Sequence, residues 1–237
     1  MSNIWISQKG LEQKKDLIWV DLNIVPTSGR ALGGQIALLD NQCPKGLKTS
    51  CNPNIIRKLT NNNFHEKYPL STLSFLMWLF NTPIPRKEFA QFLILHSDAT
   101  WLKYQKYHDN ITNWISKLEK YNWDLLFKNK DTVEFEKKVD QIFYPILIEL
   151  EAISGFSKLK SKHLKIKSRE YKFNPDWDDD IILSLFDLFG HNLSWSPPHI
   201  PKIIKKIKGK KIETSINKIK KIGLNQFINK HKIFSYA

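Results

Sequence analysis

Residues 86–121 read RKEFAQFLILHSDATWLKYQKYHDNITNWISKLEKY. Phe89, Phe92, Leu93 and His96 recur at i, i+3, i+4 and i+7, the spacing of one helical face. Ser97 or Asp98 offers an oxygen to cap a following helix. That helix is expected from about Ala99 to Tyr121, with Leu102, Tyr107, Ile111, Trp114, Ile115 and Leu118 as its apolar stripe. Two consecutive amphipathic runs of this kind make the core helical.

The pattern extends in both directions. Ser71 to Phe80 is apolar on nearly every side, which predicts a buried helix ended by Asn81–Pro85. Thr132 to Ile153 predicts another. Glu134 and Glu136 stand where the helix dipole favours acids, Pro145 should kink it, and Gly155 is a natural stop. Asp178–Asp180 should open a short apolar helix, Ile181–Phe189, closed by Gly190. Towards the N-terminus, Asp16–Val25 reads as a buried strand. Pro26–Gly29 reads as a turn, Gly33–Leu39 as a second strand or a short helix, and the surroundings of Pro44, Gly46, Pro53 and Asn61–Asn63 as loops. His163–Phe173 alternates and predicts a solvent-facing strand. Ile200, Ile203, Ile204 and Ile207, then Ile212, Ile216 and Ile219, form a stripe whose remaining positions are largely lysine, which predicts basic amphipathic helices docked through isoleucine. The expected fold is mainly α with a small β component (α+β): a helical bundle core, short N-terminal strands and basic C-terminal helices. It is organised as residues 1–157 and a basic region, 158–237.

The 237 residues carry 37 basic and 23 acidic side chains, a net charge of +14 that favours a polyanionic partner. Lys, Ile and Asn are also the residues an AT-rich genome overproduces, so placement says more than the total. Residues 1–156 carry +3 and residues 157–237 carry +11. Within the latter, 157–172 hold seven basic residues and one acid, 173–196 hold five Asp and no base, and 197–237 hold eleven Lys and one Glu. Such alternating blocks are placed charge. Only four of the basic residues are Arg, which points to phosphate contact and not base readout. The residues expected at the interface are Lys160, Lys162, Lys165, Lys167 and Arg169 on the strand, and Lys202, Lys205, Lys206, Lys208, Lys210, Lys211, Lys218, Lys220 and Lys221 on the helices. Tyr171, Phe173 and Trp195 are candidate stacking residues. Trp78, Trp101, Trp114, Trp123 and Trp177 read as core.

No Gly-x-Ser-x-Gly, P-loop or Gly-x-Gly-x-x-Gly occurs, and the seven histidines are scattered. Cys43 and Cys51 match no zinc spacing and too few cysteines are present for a disulfide framework, so they read as reduced thiols. No cofactor is expected. Asp176, Asp178, Asp179 and Asp180, with Glu170 and Lys172, loosely resemble a magnesium nuclease set, although the order of the acids is unusual. Acids in the first turn of a helix are the simpler explanation. Glu88–Leu93 and Asp98–Tyr104 have the outline of a helix-turn-helix, but Ile94-Leu95-His96 stands where glycine is usual, and two core helices account for them better. The N-terminus has no apolar h-region and no apolar run reaches the roughly 20 residues a bilayer needs, so a cytoplasmic protein without a transmembrane segment is expected.

The functional expectation is a non-enzymatic nucleic-acid-binding protein contacting DNA or RNA backbone, as a subunit of a larger nucleoprotein assembly with other protein subunits. The alternatives are a metal-dependent nuclease using Glu170, Lys172 and Asp178, and a helical protein–protein adaptor with an exposed apolar patch.

Overall fold

A computed structural model of the chain describes residues 4–5, 18–21, 23, 30–128, 130–159, 168–173, 179–195, 206–207, 212–231 and 233, with the side chains of 4–5, 132, 136, 153–159, 168–173 and 206–207 excepted. The fold is mainly helical with a small β component. It divides into two compact units, one formed by Met1–Thr72 with Ile203–Ala237 and the other by Leu73–Lys202. Residues 158–202 and 203–237 therefore belong to different units.

In the first unit, β1 (Ile4–Trp5) pairs antiparallel with Lys206–Ile207. Strands β2 (Ile18–Val20), β3 (Arg30–Leu32) and β4 (Ser50–Cys51) form a parallel sheet in that order, with Ile18 opposite Arg30 and Ala31 opposite Ser50. The expectation of a buried first strand is corrected here. Among the described residues β2 stands at the edge of its sheet and leaves Ile18 and Val20 exposed. Gly33–Leu39 is neither strand nor helix, apart from isolated bridges at Leu38 and Leu39. Buried amides hold it. The Asn52 side-chain amide donates to Asn23 Oδ1 (3.1 Å) and Gln35 O (2.8 Å), and that of Asn54 donates to Gly34 O (2.7 Å). The expected loops carry short helices. They are the 3₁₀ turns Lys45–Thr49 and Asn61–Glu66, and α1 (Pro53–Ile56), which is capped by Asn52 and started by Pro53.

In the second unit, α2 (Thr72–Leu79) ends in a Schellman turn with Asn81 left-handed (φ 50°), the Thr82 amide donating to Met77 O (2.8 Å). α3 (Glu88–His96) buries Ala90 through Leu95, so it is a central helix enclosed almost all round and not a one-faced amphipath. The single helix expected over 99–121 starts only at Thr100, is broken once within, and ends at Lys117. Asp98 and Ala99 both adopt positive φ, and α4 (Thr100–Lys106) is separated from α5 (His108–Lys117) at Tyr107. Neither Ser97 nor Asp98 caps α4 with its side chain; the Asp98 carboxylate accepts from Lys103 instead. Burial of Thr100 and Trp101, and stacking of Tyr104 on Phe127 at 4.5 Å, make α4 a packed core element.

After α6 (Asp124–Phe127), α7 (Thr132–Lys138) runs through a π-helical turn at Val139–Phe143 into α8 (Tyr144–Glu149). The kink expected at Pro145 takes this form, because a widened turn just before the ring accommodates a residue that cannot donate to the ladder. Glu151 (φ 53°), not Gly155, terminates the helix, with Ala152 N–H donating to Leu147 O at 2.9 Å. Gly155 lies in β5 (Ile153–Leu159), at an irregularity in the antiparallel pairing with β6 (Ser168–Phe173), the position a bulge glycine takes. The alternating stretch 163–167 lies outside the described residues. Gly190 does not close the last helix of this unit, α9 (Asp179–Leu193), which runs on to a left-handed Ser194 (φ 55°). The core is strongly aromatic. Phe135 stands edge-on to Phe92 at 5.2 Å and lies 4.6 Å from Trp101, while Trp114 and Trp123 are buried and Trp78 partly so. Trp177 lies outside the described residues.

The expected basic C-terminal helices are realised only in part. Lys206 and Ile207 form β7, because residues 4–5 offer backbone partners that a helix would have to forgo. Residues 200–205 and 208–211 lie outside the described residues. α10 (Ile216–Ile222), capped by Ser215, and α11 (Leu224–Lys230) follow. Ile212 and Ile216 are exposed, so among the described residues the docking stripe reduces to Ile219, packed on Leu39, Leu224 and Ile228.

Candidate nucleic-acid interface

Folding concentrates the charge more sharply than the linear blocks do. The first unit carries 19 basic and 6 acidic residues, a net of +13, and the second carries 18 and 17, a net of +1. Nearly the whole excess of the chain therefore belongs to the unit that joins its two ends.

On that unit, α10 is the best-defined part of the expected interface. Lys218 and Lys221 are exposed, and neither pairs with a carboxylate among the described residues. Lys220 is different: its Nζ lies 2.8 Å from Asp40 Oδ2. Asp40 occupies a left-handed turn (φ 49°), and its other oxygen accepts from the amides of Asn61 (3.3 Å) and Asn62 (3.1 Å). The Lys220 ammonium, followed by these amides, holds the Asp40 carboxyl below the usual carboxylate range. Gln42 Oε1 accepts from the Leu224 amide at 2.8 Å and caps α11. Asp40 and Gln42 thus fasten the C-terminal helices in place.

Lys206 lies on β7, opposite Trp5, in the same unit. Lys205, Lys208, Lys210 and Lys211 lie outside the described residues. Arg169 lies on β6, opposite Lys158, in the second unit. Lys160, Lys162, Lys165, Lys167 and Lys202 also lie outside the described residues. The fold adds bases that a reading of 1–156 as nearly neutral passes over. Arg30, Lys45, Lys48 and Lys58 are exposed on the first unit. Phe64 stands 54% exposed beside them in sequence, with Lys67 Nζ 4.5 Å from its ring centre. Nothing local marks these residues, because only the tertiary pairing of 1–72 with 203–237 groups them with the C-terminal lysines.

Two recesses among the described residues of the second unit are internally satisfied or small. In an open niche, Lys138 bridges Glu88 (2.6 Å) and Glu134 (2.9 Å), and Lys130 donates to the buried Gln91 at 2.8 Å. A cavity of about 20 Å³ beside His96, Trp101 and Tyr144 has room for one water-sized molecule. His96 faces the Phe143 ring at 4.9 Å, and burial pushes its imidazole down to about 4. Glu170 and Lys172 lie on β6, Asp176 and Asp178 lie outside the described residues, and no group of three metal-ligating side chains occurs among the described residues. Among the described residues, no helix is long and apolar enough to cross a membrane.

No family model, curated protein or solved structure matches this chain.

Proposed function

We propose that this protein binds nucleic acid without transforming it, gripping the phosphate backbone with the Lys-rich first unit, as a subunit of a larger nucleoprotein assembly. The observation that carries the reading is the +13 excess on one compact unit beside a second unit of +1. Lysine meets phosphate as a flexible point charge and does not fork onto a base edge, which suits backbone contact irrespective of sequence. Exposed Phe64 adds a flat apolar surface on which an unpaired base can stack. The two unpaired cysteines, Cys43 and Cys51, favour a reducing compartment, and we place the activity in the cytoplasm.

Fluorescence anisotropy with labelled single- and double-stranded DNA and RNA, over a salt series, tests the proposal. Affinity should fall by orders of magnitude between low and moderate salt. Lys218→Glu with Lys221→Glu should weaken binding to every sequence alike. Salt-independent affinity, or unchanged affinity in that variant, would overturn it.

A further inference from the structure

The exposed residues of α9 fall on one face. Asp179, Asp180, Leu183, Phe186, Asp187 and His191 are its exposed positions. At 100° per residue they occupy a sector of about 140°, with buried Ile181 on the opposite side. Leu183 and Phe186 leave 45% and 42% of their surface open, flanked by three carboxylates. No Lys or Arg lies between Lys172 and Lys202. In a chain of +14, this is an acidic, apolar helix face with nothing basic of its own.

α10 has the inverse character. Ile216, Asn217, Lys218, Lys220 and Lys221 are exposed, and no acid follows Glu213 in the sequence. Ile216, 47% exposed, stands beside Lys220 and about 140° to 160° around the helix from Lys221 and Lys218. Seven residues make α10 about 10 Å long, which fits within the roughly 22 Å of α9.

We propose that the acidic apolar face of α9 docks the lysine face of α10 in a second copy of this chain. Asp179, Asp180 and Asp187 meet Lys218 and Lys221, and Leu183 and Phe186 pack against the aliphatic stems of those lysines. The two faces differ, so the contact is head-to-tail, and a copy that uses one face keeps the other free. The apolar area is small, so the association is weak and sensitive to salt. It occupies the lysines assigned to phosphate in the preceding proposal. It does not rest on that assignment, because association is measured with no nucleic acid present.

Sedimentation velocity on the full chain, from micromolar to near-millimolar concentration, should show mass rising with concentration at low salt and a monomer at molar salt. Phe186→Lys with Asp187→Lys should be monomeric, and so should Lys218→Glu with Lys221→Glu, each with an unchanged circular dichroism spectrum. Mixing the two variants should restore association, because one still offers an intact α9 face and the other an intact α10 face. A monomeric wild type, a variant that associates alone, or a mixture that stays monomeric would overturn the proposal.

Discussion

Lys220 Nζ lies 2.8 Å from Asp40 Oδ2, tying one of the last helices to the first third of the chain. An ammonium held by a carboxylate is a poorer phosphate ligand than a free one, since the carboxylate must first be displaced. Lys220→Met should therefore weaken nucleic-acid binding less than Lys221→Met, a comparison read by anisotropy at one salt concentration. An equal or larger loss for Lys220→Met would contradict this division of labour.

The same pair sets a pH dependence. The Asp40 carboxyl lies below its ordinary range when folded, so its contribution to stability is present above the unfolded value and is lost as pH falls through the folded one. Asp40→Asn should flatten the acid limb of thermal stability and make α10 more open to proteolysis at neutral pH. Identical acid limbs in the two proteins would refute the link.

His96 works in the same direction through burial. Its folded value of about 4 lies below the ordinary 6.5, so the unfolded chain binds a proton first. Stability should fall as pH drops from about 6.5 to about 4, by on the order of 3 kcal/mol. His96→Phe should remove this slope. Urea midpoints measured across that interval are the check, and a slope that persists in the variant would assign the effect elsewhere.

Asn54 is fully buried and joins two loops, donating to Gly34 O at 2.7 Å and accepting from the Tyr68 amide at 2.6 Å. Asn54→Ala strands both backbone groups and should cost about 2 to 4 kcal/mol. Gly34→Ala acts on the same neighbour, because its Cβ would stand 3.0 Å from Tyr68 Cδ1, and should cost about 1 to 3 kcal/mol. Chemical denaturation measures both, and a near-neutral Asn54→Ala would show that the amide is dispensable.

Two buried tryptophans provide a matched comparison. Trp123 Nε1 donates to Leu118 O at 3.2 Å, whereas Trp101 Nε1 is buried without a hydrogen-bond partner among the described residues. Both lose volume on change to phenylalanine, but only Trp123 loses a hydrogen bond. Trp123→Phe should therefore be the more costly by about 1 kcal/mol. The reverse order would mean that the Trp101 indole is satisfied in solution.

The helical core was legible because burial on a 3.6-residue period leaves a local imprint, as at Ile111, Trp114, Ile115 and Leu118. Its interruptions were not. Asp98, Ala99, Lys58 and Glu151 all adopt positive φ, a conformation that side chains of this kind rarely advertise. Gly155 and Gly190 were conspicuous stop signals, yet one lies in a strand and the other inside a helix. A glycine permits a turn without requiring one.

Composition and local spacing alone determined a mainly helical chain, a strongly basic balance and the alternation of charge blocks near the C-terminus, because each depends only on neighbours in sequence. Tertiary structure decided which charges share a body. It joined 203–237 to 1–72, left Arg169 with the other unit, engaged Lys220 with Asp40, and made a strand of Lys206 and Ile207. The physical reason is that backbone pairing and ion pairing between distant segments depend on partners in space, and a one-dimensional pattern carries no record of which partner a lysine will meet.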